Sequence, residues 1–312
     1  MAKKMRALTS SDYWSKREAE NLARNQLTEQ EYERRVNEIL KYMEDQITKE
    51  INGFYSKYAK AEGITMAEAK QRVSQLDIAE YERKAERYVR EKNFSAQANE
   101  EMRLYNATMN INRLELLKAN IGLELVAGYD ELDKYTGQIL TDRAREELER
   151  QAGILGNAVE DLSQRAGEIA TASFNVATYS DRIWTHQAML KSELDNLLRE
   201  GMIQGRNPRV LARHLEKRFG VSRSNAVRLM RTELARVQTE AQKESYERNA
   251  FAMYEYIAEP TACPICKALN GNTYSVKDMT VGENAPPMHP NCRCSTAAYM
   301  DRTEFDEWLR RQ

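Results

Sequence analysis

None of the six prolines in this 312-residue chain comes before Pro208, and five of them lie between Pro260 and Pro290. Proline lacks the amide donor of a helix interior and clashes with the preceding turn, so long helices exclude it. Everything up to Pro208 is therefore open to uninterrupted helix, and the last part of the chain is not. Glycine is scarce, at 13 residues, while 30% of residues are charged. That is the balance of long helices with solvated faces.

Periodicity gives the positive evidence. Tyr32, Val36, Ile39, Met43, Ile47, Ile51, Phe54 and Tyr58 recur every three or four residues, one face of a nearly straight helix. Thr28-Glu-Gln-Glu31 has the form of a capping box and predicts the start of that helix. Thr65-Met-Ala-Glu68 repeats the device, and Asp77 caps a further helix through Arg90. Asn93-Phe-Ser95 reads as a break. Helical patterning resumes from Ser95 to about Tyr135, with interruptions expected near Gly122 or Gly128, and a new helix is expected at Thr141. Gly153–Ser180 is rich in small residues and reads as a junction, with Thr171–Thr178 its least helical piece and a β-hairpin there as the competing form.

From Asp181 the pattern is helical to Glu200, followed by a turn at Gly201–Gly205. Asn207-Pro208 is a cap followed by proline at the first helical position. That helix is expected to end at Phe219-Gly220, with Ser222 or Ser224 opening another. The second carries Val227, Met230, Leu234, Val237 and Ala241 as its buried stripe. Ala252–Ile257 alternates and is tyrosine-rich, as a strand would be. Thr303–Arg311 reads as a short amphipathic helix.

Charge and targeting narrow the function classes. The chain has 47 basic and 48 acidic residues, a formal charge of −1, which excludes wholesale nucleic-acid binding. The opening MAKKMRALTSSDYW lacks the apolar core of a secretory signal, and no run approaches the roughly 18 apolar residues of a membrane span. A reducing cytoplasm is the expected folding compartment, and lasting disulfides are rare there.

All four cysteines fall between Cys263 and Cys294, together with one of three histidines. Cys263-Pro-Ile-Cys266 lets two sulfurs reach one centre, and His289, Cys292 and Cys294 offer three more donors. A structural zinc ion takes four ligands, so four of these five residues are expected to bind it. Cys263 and Cys266 form one pair; the second pair is open among His289, Cys292 and Cys294. Asn270-Gly271 predicts a tight turn between the two halves, and Pro286, Pro287 and Pro290 stiffen the approach to the second. The competing readings are unrelated free thiols, a redox Cys-x-x-Cys, and an enzyme using His289 and Cys292. The redox reading lacks the βαβ context it needs.

The order Arg231-Thr232-Glu233, helix, Tyr254-Glu-Tyr-Ile257, Cys263-Pro-Ile-Cys266, Leu269-Asn-Gly271, Pro286-Pro287-Met-His289-Pro-Asn-Cys292-Arg-Cys294 resembles the C-terminal domain of the tailed-phage minor head proteins, the Mu protein F-like family. The resemblance spans about Leu190–Met300. It implies a non-enzymatic component of the virion, at the capsid interior near the portal and in the host cytoplasm during assembly. Implied partners are the portal protein and capsid or scaffolding proteins, with a role in head assembly and in DNA packaging or ejection. It also marks Arg231, Thr232 and Glu233 as family-motif positions. Their plain reading is a solvated salt ladder in which Arg236 pairs with Glu233 and Glu240.

Residues 201–250 carry 11 Lys and Arg against 5 Asp and Glu. Arg206, Arg209, Arg213, Lys217, Arg218, Arg223 and Arg228 are candidate contacts to DNA phosphates or to the portal. The two helices expected around Phe219-Gly220 have helix-turn-helix proportions, so a zinc-dependent DNA-binding protein is a further reading. The plain one is a basic hairpin facing acidic helices of the N-terminal half or of a portal subunit. His186 and His214 read as packing or surface residues. The expected architecture is mainly α: an elongated helix-rich region over residues 1–180, and over 181–312 a small α+β domain with a zinc-knuckle-like motif at 263–294.

Overall fold

The computed structural model describes residues 9–58, 75–92, 94–99, 113–157, 159–203 and 208–311. The chain is mainly helical with a small sheet near its C-terminus, as expected. In order come α1 (Ser10–Tyr58), α2 (Gln75–Lys92), α3 (Arg113–Leu155), α4 (Leu162–Thr171), α5 (Tyr179–Ile203), α6 (Pro208–Arg248), β1 (Met253–Ile257), α7 (Pro264–Leu269), β2 (Thr273–Ser275), β3 (Ser295–Ala298) and α8 (Arg302–Arg311). Pro208 opens α6 as its first residue, and α2 ends ahead of the expected break at Asn93-Phe-Ser95. No helix among the described residues is long and apolar enough to cross a membrane.

Several helices are longer than their local signals suggested. Thr28 does not start a helix: α1 already runs from Ser10, and the Thr28 hydroxyl donates to the Asn25 carbonyl at 2.9 Å. Thr141 behaves alike inside α3, donating to Gly137 O at 2.8 Å, and that helix passes through Gly122 and Gly128 unbroken. A hydroxyl in mid-helix satisfies itself on the preceding turn, so a capping residue type does not by itself end a helix. The turn expected at Gly201–Gly205 does not start at Gly201, since α5 continues to Ile203, and residues 204–207 lie outside the described residues. Within the expected junction, α4 forms over Leu162–Thr171, and Phe174 and Ala177 make an isolated bridge around Asn175 and Val176. The cap expected at Thr65–Glu68 lies outside the described residues.

The correction with most consequence is α6, one helix from Pro208 to Arg248. Phe219-Gly220 does not break it, so the helix-turn-helix proportions and the basic hairpin are absent. Leu211, Leu215 and Phe219 lie on one side of Gly220, and Ala226, Met230, Leu234, Val237 and Ala241 on the other, all buried. A mid-helix glycine costs about 1 kcal/mol, less than burying a single one of these larger side chains contributes.

The contacts divide the chain into two compact units, each drawn from separate stretches. One comprises Arg34–Tyr135 and Ser180–Ala226. In it Val36, Ile39, Met43, Ile47, Ile51 and Phe54 of α1, members of the stripe read from the sequence, are buried, and Leu40 joins them. A Cβ on Gly128 of α3 would stand 2.6 Å from Met43 Sδ, so this position needs glycine for close approach. Glu44, nearly buried on α1, receives Arg223 of α6 at 2.9 Å.

The other unit comprises Met1–Glu33, Thr136–Tyr179 and Val227–Gln312. Its sheet has the order β2-β1-β3, all antiparallel, with Tyr254 opposite Ala298 and Tyr256 opposite Thr296. Trp14 of α1 packs with Ile257, Ala297, Met300 and Phe305, and Trp308 leans on the same cluster. Beneath the sheet is a closed polar ring. Arg150 donates to Glu18 and Glu147 at 2.7 Å, Gln242 donates to Glu147 at 3.0 Å and to Ser295 at 2.9 Å, and Ser295 donates to Glu18 at 2.8 Å. Burial raises the pKa of Glu18 despite Arg150; Glu147 is equally buried, but Arg150 and the amides of Gln151 and Gln242 leave its pKa lowered.

The salt ladder expected at Glu233 and Arg236 is not solvated. Both residues are 1% exposed, and Arg236 donates to Glu233 at 2.6 Å and to the carbonyls of Ile169 and Ala170 at 2.9 Å. Those carbonyls end α4, where intrahelical donors run out. Arg236 thus supplies the C-terminal cap of a helix distant in sequence, which the i+3 spacing alone did not reveal.

Candidate metal centre

Three short segments of this unit bring the donors together. After β1, Cys263 takes the N-cap position of α7 with Pro264 at the first helical position. Cys266 lies on that first turn and is fully buried. Gly271, at φ +80, closes the expected Asn-Gly turn, its amide donating to Tyr256 O at 2.9 Å. His289 and Cys292 share a second turn, closed by the Cys292 amide on His289 O at 3.1 Å with Asn291 at φ +64. Cys294 then leads directly into β3.

His289 Nε2 lies 3.2 Å from Cys263 Sγ and 3.3 Å from Cys266 Sγ, and Cys266 Sγ lies 3.8 Å from Cys292 Sγ. Two triads result, Cys263–Cys266–His289 and Cys266–Cys292–Cys294, each with its donor atoms within 4.8 Å of one another. They share Cys266. The five candidates are therefore gathered at one place.

The donor set fits a divalent ion by an independent sign. His289 Nδ1 lies 2.9 Å from the Pro290 carbonyl, which can only accept, so Nδ1 carries the proton and Nε2 turns its lone pair toward the sulfurs. Metal-bound imidazoles are oriented in this way. Without a cation the thiols divide unevenly. A hydrogen bond from Cys294 pulls Cys292 down to about 5, whereas burial pushes Cys266 up to about 12. Cys294 is raised as well, by its bond to Cys292 and by burial. The Cys292 thiolate adds to the rise at Cys266 and Cys294, while backbone amides lower Cys263, and a dication removes the repulsion among the sulfurs. Four donors would close a structural site of zinc type; a catalytic one keeps a position open.

The surroundings hold residues that spacing did not single out. Tyr256 of β1 is fully buried, and its hydroxyl finds no oxygen or nitrogen partner; its polar neighbours are the sulfurs of Cys266 and Cys294. Thr232, a motif position, accepts the Asn291 amide at 3.2 Å while donating to Arg228 O at 2.8 Å. Arg293, between two cysteines, grips Glu29 of α1 through contacts of 2.7 and 2.9 Å. Arg231 reaches Glu33 at 2.8 Å and Glu29 at 3.5 Å. The alternation Cys-Arg-Cys hinted that Arg293 faces away from the donors, but nothing local pointed to Glu29.

The basic candidates of α6 fare differently. Arg213 and Lys217 are exposed one turn apart. Arg218 pairs with Glu193 at 3.2 Å and Arg223 with Glu44 at 2.9 Å. Arg228 is exposed and lends its carbonyl to Thr232. Arg206 and the side chain of Arg209 lie outside the described residues. His214 is exposed and His186 half-buried.

Residues 192–297 match the family model described as Phage Mu protein F like protein. The match contains the motif Arg231-Thr232-Glu233, β1, β2 and all five donors, ends within β3, and bears out the resemblance read from the sequence. At the level of the family it supports a phage head protein with capsid-related partners and a place in the virion, and it points away from an enzyme. Comparison with curated proteins and with solved structures finds no match.

Proposed function

We propose that the chain is a minor head protein of a tailed phage. On this reading it associates with the portal at the capsid interior and meets capsid or scaffolding proteins during assembly in the host cytoplasm. It assists head assembly and the packaging or ejection of DNA, and a structural zinc ion shapes its C-terminal module. The division into a helix-rich region to residue 180 and a Mu F-like domain from 181 belongs to the same proposal. What carries it is the coincidence of the family match with a folded donor cluster inside the matched segment. The ion would tie together the two turns that flank the small sheet, adding its binding free energy to folding. We read the site as structural rather than catalytic.

Two measurements test this. Quantitative mass spectrometry of purified heads is expected to find the chain in few copies per portal ring, and its absence from heads lacking the portal supports the association; absence from intact heads overturns the proposal. Elemental analysis is expected to find about one zinc per chain, with Cys263→Ser losing metal and cooperative melting together. Metal-free native protein with an unchanged melting curve overturns the zinc assignment.

The exposed pair Arg213 and Lys217 supports a second, narrower reading: a contact to packaged DNA through phosphates. Binding would be weak and indifferent to sequence, and each phosphate contact would add about 0.9 to the slope of log K against log salt. Arg213→Glu with Lys217→Glu is expected to lower that slope by about two contacts in a filter-binding titration.

A further inference from the structure

Five donors surround a site that takes four, and the geometry selects among them. This inference rests on the metal reading above and deepens it. Bonds of about 2.3 Å to sulfur and about 2.0 Å to nitrogen, set tetrahedrally, separate two sulfurs by about 3.8 Å and a sulfur from a nitrogen by about 3.5 Å. Cys266 and Cys292 already stand 3.8 Å apart, and His289 Nε2 lies 3.2 and 3.3 Å from the sulfurs of Cys263 and Cys266. An ion entering the Cys263–Cys266–His289 triad needs one more sulfur drawn in from the other triad.

Backbone freedom decides which one moves. Cys292 sits in a turn that it shares with His289, closed by its own amide on His289 O. The pair repeats the two-residue spacing of Cys263 and Cys266, so each half of the knuckle offers two donors from one turn. Cys294 is tethered from the other side. Its neighbour Ser295 pairs with Ile257 in the sheet, donates to the buried Glu18 at 2.8 Å, and accepts from Gln242 at 2.9 Å and Gln238 at 3.1 Å. Swinging the Cys294 sulfur toward His289 would strain that anchored strand; moving Cys292 flexes a turn.

We propose that Cys263, Cys266, His289 and Cys292 hold the ion, and that Cys294 stands outside its coordination sphere, packed with Tyr256 as an orienting neighbour. Cobalt(II) titration of the reduced full-length chain tests this through its sulfur-to-cobalt charge-transfer band, which scales with the number of bound thiolates. Cys294→Ser is expected to keep one tetrahedral cobalt and the full band, with affinity lowered about tenfold, as for other supporting residues. Cys292→Ser is expected to lose about one thiolate of three from the band. The opposite pattern overturns the assignment. X-ray absorption on the zinc-loaded wild-type chain tests the place of His289, while the two variants separate Cys292 from Cys294: three sulfurs and one nitrogen are expected, and four sulfurs overturn the inference while leaving the zinc site intact. A wild-type chain that binds neither cobalt nor zinc overturns both.

Discussion

At the scale of single residues, the Arg-Thr-Glu motif gains a physical role. Arg231 is held by Glu33, Thr232 holds the amide of Asn291, and Glu233 is buried against Arg236. Thr232 faces the turn that presents His289 and Cys292, so a helix residue 57 positions before His289 bears on the donor geometry. Thr232→Val keeps the shape and removes the acceptor. Zinc affinity, read by competition with a chromophoric chelator, is expected to fall by about 10- to 100-fold. The metal-free fold should lose only about 1 kcal/mol, the worth of one hydrogen bond. Of this arrangement the sequence showed the donors and, through resemblance, the motif. It did not show their contact, because a hydrogen bond across that separation has no periodic signature.

At the scale of elements, local stop signals were outvoted by burial. Gly220, Thr28 and Thr141 each carry a propensity penalty of about 1 kcal/mol or less, and each sits in a helix whose buried stripe continues on both sides. The stripe Val36–Phe54 was legible because packing and periodicity agree there. The start of α1 was not, because the buried face that Trp14 opens continues through the polar Glu18 and Asn21, which hydropathy does not flag. Gly220→Ala is the matching prediction. A Cβ there meets nothing within 4 Å, so α6 is expected to gain about 0.5–1 kcal/mol, seen as a higher urea midpoint at unchanged slope. A loss instead would mean that α6 bends at Gly220.

At the scale of the whole molecule, the unit that holds the donors is assembled from three distant stretches, Met1–Glu33, Thr136–Tyr179 and Val227–Gln312. The Glu18–Arg150–Glu147–Gln242–Ser295 ring joins α1, α3, α6 and β3 in one network. Removing its only cation leaves two buried carboxylates unpaired, so Arg150→Met is expected to cost about 3–5 kcal/mol in denaturant unfolding. The sequence alone determined that the described residues before Pro208 are mainly helical, that a small α+β module follows, and which five side chains gather there. Those properties are written in periods of three to four residues and in spacings of two, which short-range sterics enforce. Only the tertiary structure decided which charges are buried, which helices continue, and that Glu29 of α1 clasps Arg293 beside the knuckle. Ion pairs between distant segments depend on where the chain returns in space, and burial turns a residue that reads as solvated into part of the core.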